Sequence, residues 1–164
     1  MTLQTYMTKI RRREGGFTLV ELMVVVMIIA VLMAIAIPTF LNSRKRAQDS
    51  AAKSNVRNAL AAAQAVYSES QSYAGVTTTS LSDEEPSLTF VANTTASSTP
   101  KTVSVKVVGT DTIFLAAESD SGKCFALRHS VASGATAGSY QAQLTGSCTG
   151  DAASAATGVT WTQL

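Results

Sequence analysis

Twenty consecutive residues, Leu22–Leu41, carry no charge: LMVVVMIIAVLMAIAIPTFL. A helix of about 20 apolar residues spans the roughly 30 Å hydrocarbon core of a bilayer. A helix that is apolar on every side must be buried in protein or in lipid. This run therefore predicts a membrane-resident stage. With 164 residues in all, the chain leaves room for one modest domain beside that helix.

The flanks exclude an ordinary secretory signal. Such a signal has an apolar stretch of about 7 to 15 residues followed by a small-residue cleavage site. Here the run is longer, and the small residues Gly15 and Gly16 precede it. Asn42-Ser43-Arg44-Lys45-Arg46 follows it, which suits a stop-transfer flank. Basic residues lie on both sides, Lys9 to Arg13 and Arg44 to Arg46, so loop charge does not orient the helix. The Ser/Thr-rich, cysteine-bearing remainder reads as extracellular, which places the N-terminus inside.

Two residues are unusual for a plain anchor. Glu21 sits inside the apolar stretch that opens at Phe17, where a carboxylate is costly and often functional. It could equally lie at the membrane interface. Pro38 removes a helical hydrogen bond near the far end, and it either bends the helix or marks its end.

Charge is unevenly placed. The first sixteen residues hold four cations against Glu14. Residues 42–57 hold five cations against Asp49. From residue 58 onward four cations face eight acids. A basic start, a basic collar and an acidic remainder argue against a nucleic-acid-binding domain, whose basic face belongs to the folded part. Cys124 and Cys148 are the two cysteines. In an exported domain they would form one disulfide, and in a cytosolic one they would be free thiols.

The stretch Arg11-Arg12-Arg13-Glu14-Gly15-Gly16-Phe17-Thr18-Leu19-Val20-Glu21-Leu22 resembles the cleavage region of type IV prepilins. The likeness covers roughly residues 9–41, with leader charge, Gly, Phe, acid and uncharged run in the family's order. It implies that a prepilin peptidase removes residues 1–16 as a leader by cutting between Gly16 and Phe17. Phe17 would then be N-methylated. Glu21 becomes the fifth residue of the mature chain, where the family carries an acid thought to pair with a neighbour's N-terminal amine. Pro38 falls where many members also have proline, as a helix bend. A disulfide between Cys124 and Cys148 would enclose the C-terminal surface region that varies in the family, here including residues 130–138.

The resemblance implies an α+β pilin fold: a long, partly protruding N-terminal helix packed on an antiparallel sheet. Residues 17–41 would form the membrane and filament-core helix, 42–72 its amphipathic continuation and 73–164 the head. Residues 42–72 contain no Gly or Pro, and Ala52, Val56, Leu60, Ala63 and Tyr67 recur on one helical face. Gly75 is expected near the helix C-cap. Residues 76–86 read as a connecting loop. Strands are expected at 88–92, 101–108, 112–117, 123–129, 139–144 and 159–164, the last anchored by Trp161.

The remaining chemistry is sparse. His129 has no second ligand at metal spacing and reads as an ordinary strand residue. Asp83-Glu84-Glu85 reads as a solvated acidic loop. Asn93-Thr94-Thr95 fits a glycosylation sequon, a short and common pattern. No catalytic cluster, nucleotide motif or cofactor motif stands out, so a structural protein is expected rather than an enzyme, with no cofactor and no metal. The implied partners are the chain itself in a helical homopolymer, the prepilin peptidase, an assembly platform with its ATPase, and the membrane before assembly. No specific nucleic acid is expected. The chain would be a single-pass precursor in the cytoplasmic membrane and then part of a pilus serving adhesion, motility or DNA uptake. Two rival readings share parts of this pattern: a pseudopilin of a type II secretion or competence machine, and a membrane-tethered binding module or adhesin that keeps its leader and stays monomeric.

Overall fold

The computed structural model describes residues 16–134 and 137–164. The chain divides into two units, Met1–Leu41 and Asn42–Leu164. Helix α1, Leu19–Ser70, supplies residues to both. In the first unit the large apolar side chains of α1 are all exposed, from 45% at Val25 to 72% at Leu19. Among the described residues nothing covers them, although mean hydropathy here reaches 3.0 and the helix is long and apolar enough to cross a membrane. Pro38 lies inside α1 and does not end it. It offers no N–H to the carbonyl one turn back. One residue on, the Thr39 hydroxyl donates to the Ile35 carbonyl at 3.1 Å.

In the second unit the periodic face of α1 is buried. Ala52, Val56, Ala59, Leu60, Ala62 and Ala63 are at most 7% exposed, and Tyr67 packs at the margin. Four of these are alanines, whose small side chains let a helix approach a sheet closely. The helix ends at Ser70, through Gln71 with φ +53°. Gly75 is therefore not its cap. Gly75 closes a short 3-10 turn, Tyr73–Gly75, capped by the Ser72 hydroxyl. Tyr73 is fully buried between Tyr67 (ring centroids 4.7 Å apart) and His129 (6.0 Å, edge-on). Burial and the neighbouring Tyr67 push its phenol up to about 12.

Residues 76–86, expected as loop, contain a second helix, α2, Thr78–Glu84. The reason is local. Thr77 and Ser80 form a reciprocal capping box, and Leu81 is fully buried in the main core. The polar run that reads as a loop is a capped, one-sided helix.

Six strands follow: β1 Thr89–Ala92, β2 Thr102–Val108, β3 Thr112–Glu118, β4 Cys124–Ser130, β5 Gly138–Leu144 and β6 Thr162–Gln163. They lie in sequence order in one sheet. Four of the five pairings are antiparallel, but β1 runs parallel to β2, with Thr89 opposite Thr102. A parallel return ordinarily takes a dozen or more residues. Here residues 93–101 suffice because β1 is only four residues long. The last strand is also shorter than expected, two residues rather than six. Trp161, just before it, stands 6.3 Å from Phe114.

Side chains alternate across the sheet. Val103, Val105, Ile113, Leu115, Ala117 and Leu127 face the core shared with α1 and α2. Phe114, Ala116, Cys124, Ala126 and Leu144 face a second cluster beneath α3, Gly150–Ala155, a helix the sequence reading did not anticipate. Thr149 caps α3, and Gly150 packs on β2 so closely that an added Cβ would lie 2.9 Å from backbone atoms of Val105 and Lys106. The Gly150 N–H donates to the buried Ser104 hydroxyl at 2.9 Å. Both sheet faces are therefore covered in the head.

Candidate functional site

Residues 1–15, which make up most of the expected leader, lie outside the described residues. The described chain begins at Gly16, in non-helical backbone just before α1. Phe17 is 79% exposed. Thr18 and Glu21 then form a capping box. The Glu21 N–H donates to the Thr18 Oγ1 at 3.1 Å, and the Glu21 Oε2 accepts from the Thr18 N–H at 3.1 Å and from its hydroxyl at 2.9 Å. The box satisfies two backbone donors at the helix start, and the acid there favours the positive end of the helix dipole. The signal Thr-x-x-Glu before an apolar run was available in the sequence, and the sequence reading passed over it. Both contacts use one carboxylate oxygen. Glu21 Oε1 has no hydrogen-bond partner among the described residues.

In the head, Cys124 and Cys148 are joined by a disulfide, Cα to Cα 5.4 Å. It ties the start of β4 to the segment entering α3, and the Cys148 carbonyl accepts from the Ser97 N–H at 2.8 Å. The loop it encloses includes residues 135–136, which are outside the described residues. Closing a loop with a sequence separation of 24 limits the unfolded chain by about 3 to 4 kcal/mol on the loop-entropy estimate.

Asp49 is the polar feature that sequence reasoning missed. It sits on α1 yet is 8% exposed. Lys123 reaches its Oδ2 at 2.7 Å, and the Ser119 and Ser121 hydroxyls donate to Oδ1. Burial alone would raise its pKa. The hydrogen bonds from Lys123, Ser121 and Ser119 outweigh burial and hold the carboxyl below the ordinary aspartate value. Sequence spacing offers no signal for this cluster, since its partners lie some seventy residues away.

Asp151, at the start of α3, pairs with Lys106 at 2.8 Å and accepts from the Asn93 amide at 2.9 Å. Those two contacts lower its pKa. The Asn93 nitrogen is the atom that a sequon would modify, and here it is engaged with Asp151. His129 lies on β4 with Nδ1 2.8 Å from the Ser139 hydroxyl, and burial lowers its pKa. Among the described residues no group of three or more His, Cys, Asp or Glu is placed to hold a metal ion.

The family described as the prokaryotic N-terminal methylation motif matches residues 11–37. This match spans the basic stretch, Gly16, Phe17, the capping pair and most of the uncharged helix. The chain carries the prokaryotic N-terminal methylation motif at its N-terminal end. The type IV major pilin protein PilA of Myxococcus xanthus is 46% identical to it over 61 residues, 37% of this chain and 28% of that protein. The type IV wide pilus major component PilA4 of Thermus thermophilus is 45% identical over 49 residues, 30% of this chain and 37% of that protein. The type II secretion system core protein G of Pseudomonas aeruginosa is 40% identical over 57 residues, 35% and 39% of the two chains. The prepilin likeness thus spans under two fifths of each relative's length. No solved structure gives a significant match.

Proposed function

We propose that the chain is a type IV pilus subunit, made as a membrane-held prepilin and polymerised through its N-terminal helix. The observation that carries this is the N-terminal methylation motif on a helix whose apolar surface is left uncovered by the described residues. Burying such surface yields about 25 cal/mol per Å², so it demands lipid or neighbouring copies. Lipid serves before assembly, with the N-terminus inside, and other copies serve afterwards, in a pilus at the cell surface.

The sequence of events follows from the chain's own groups. The leader is cut between Gly16 and Phe17 by a prepilin peptidase. Gly16 presents no side chain to a narrow cleft. The new amine at Phe17 is methylated and meets Glu21 of a neighbouring copy. Glu21 can do this while still capping its own helix, because Oε1 is unengaged. A carboxylate left unpaired in an apolar bundle costs several kcal/mol, so a misregistered neighbour is rejected. Glu21 thereby sets register. An assembly platform and a separate ATPase would drive insertion, and the chain itself is a structural protein rather than an enzyme.

Intact mass and N-terminal analysis of chain taken from the membrane and sheared surface fractions tests this. The expected product starts at Phe17 and is heavier by one methyl group. A mature chain that still begins at Met1 would sink the proposal and favour a tethered module. A second reading, a pseudopilin, is favoured by the relative named type II secretion system core protein G. Long surface filaments distinguish the pilin from it.

A further inference from the structure

A groove in the head runs between α1 and the β4–β6 end of the sheet, a cavity of about 150 Å³. Lys53 and Arg57, one turn apart on α1, line one wall, and Phe125, Gln141, Gln143 and Thr162 line the other. The register places Phe125 opposite Gln143 and Gln141 opposite Thr162, so these strand residues share one face. The Lys53 ammonium stands 4.8 Å from the centre of the Phe125 ring, and the Arg57 guanidinium donates to the Gln141 carbonyl oxygen at 3.2 Å. Among the described residues no acid lies within ion-pair distance of either cation. The groove is thus two cations and four uncharged polar side chains, Thr160 being the fourth, around an apolar floor with no acid among its lining.

The opposite edge of the same sheet carries the complement. Strand β1 ends the sheet there, and α2 packs against it. Helix α2 ends in Asp83 and Glu84, both exposed and without a cationic partner among the described residues. The groove lies at the β4–β6 end of the sheet and the acidic end on α2 beside β1, and among the described residues no ion pair joins them.

We propose that the Lys53–Arg57 groove of one copy receives the Asp83–Glu84 end of α2 from a second copy. The contact uses different surfaces on the two partners, so each pairing leaves one groove and one acidic end available. Such a heterologous interface builds an open polymer when its rotation does not close into a ring. This deepens the filament reading and rests on it only for where the contact operates. The geometry adds a head-to-head specificity element to the apolar helix. Complementary charge orients an encounter and rejects wrong registers.

Two measurements test it. The first is zero-length carbodiimide coupling of the full chain in detergent, using an equal mixture of light and isotope-labelled protein. The expected product is a Lys53 peptide joined to an Asp83 or Glu84 peptide with mixed labels. The second compares filament yield for Arg57→Glu, Glu84→Arg and the two together. Each single reversal should lower yield by roughly two- to fivefold, the scale of one exposed ion pair, and the double reversal should restore it. Absence of the mixed-label link, with single reversals that assemble normally, overturns the contact. A loss in Arg57→Glu that Glu84→Arg does not share also overturns it, and would mean that the groove takes some other anion. If the link forms but no filament does, the contact stands and the pilus reading falls. If filaments form without the link, the reverse holds.

Discussion

At the scale of single residues, the head depends on a few polar groups whose positions tolerate little change. Asp49 is buried with three donors around it. Truncation by Asp49→Ala strips those donors of their acceptor and is expected to cost about 1 to 3 kcal/mol in denaturant unfolding. The pH dependence has a definite sign. A depressed carboxyl contributes stability that is full above the unfolded value, about pH 4, and is lost as pH falls through the folded value. Asp49→Asn should therefore flatten the acid limb of the stability curve, measured between pH 6 and pH 3 (approximate limits set by carboxyl titration). His129 acts in the same direction but earlier. Burial keeps it neutral in the fold, so stability starts to fall below about pH 6.5 as the unfolded chain takes up the proton. Gly150 is constrained sterically. A Cβ there would meet the β2 backbone at 2.9 Å, which cannot swing aside as a side chain can. Gly150→Ala is expected to lower stability by about 1 to 3 kcal/mol, readable as a drop in Tm.

At the scale of elements, caps and the crosslink decide what the hydrophobic pattern leaves open. Helix α2 has seven residues, fewer than an isolated helix needs, and stands on Leu81 and the Thr77–Ser80 box. Thr77→Ala should cost about 1 kcal/mol and raise amide exchange in residues 78–84 without disturbing the sheet. The disulfide holds α3 over the second face of the sheet. Replacing both cysteines by serine should lower stability by about 2 to 5 kcal/mol. The loss should show first as faster exchange around residues 148–155. These elements show why parts of the head were illegible beforehand. The sequence of α2 is Thr, Ser and acid, which reads as loop unless the burial of one leucine is known. The parallel pairing of β1 depends on which sheet edge is vacant, and no local pattern encodes that.

At the scale of the whole molecule, the proposed assembly would bury the exposed apolar part of α1, with Glu21 aligning the copies. Two roles of Glu21 can be separated. Glu21→Gln keeps a side chain competent for the capping box but removes the charge. Thr18→Ala removes the cap but keeps the charge. If alignment rests on the charge, Glu21→Gln should assemble as poorly as Glu21→Ala, while Thr18→Ala should form filaments at nearly normal yield. Filament counts by negative-stain microscopy decide the matter. Loss in Thr18→Ala and Glu21→Ala with normal assembly of Glu21→Gln would assign Glu21 to helix capping alone.

What the sequence determined by itself was the N-terminal methylation motif, the apolar helix and the outline of the head. Charge order, Gly16-Phe17, Glu21 and the uncharged run are contiguous, so a linear reading captures them, and the period of residues 52–67 announces the helix face that packs on the sheet. The Thr18–Glu21 box was equally local and could have been read. Only the tertiary structure decided the Asp49 cluster, the parallel β1 and the fit of Gly150 on β2. Each depends on residues far apart in the chain being brought within a few ångströms, and spacing along a sequence carries no record of that distance.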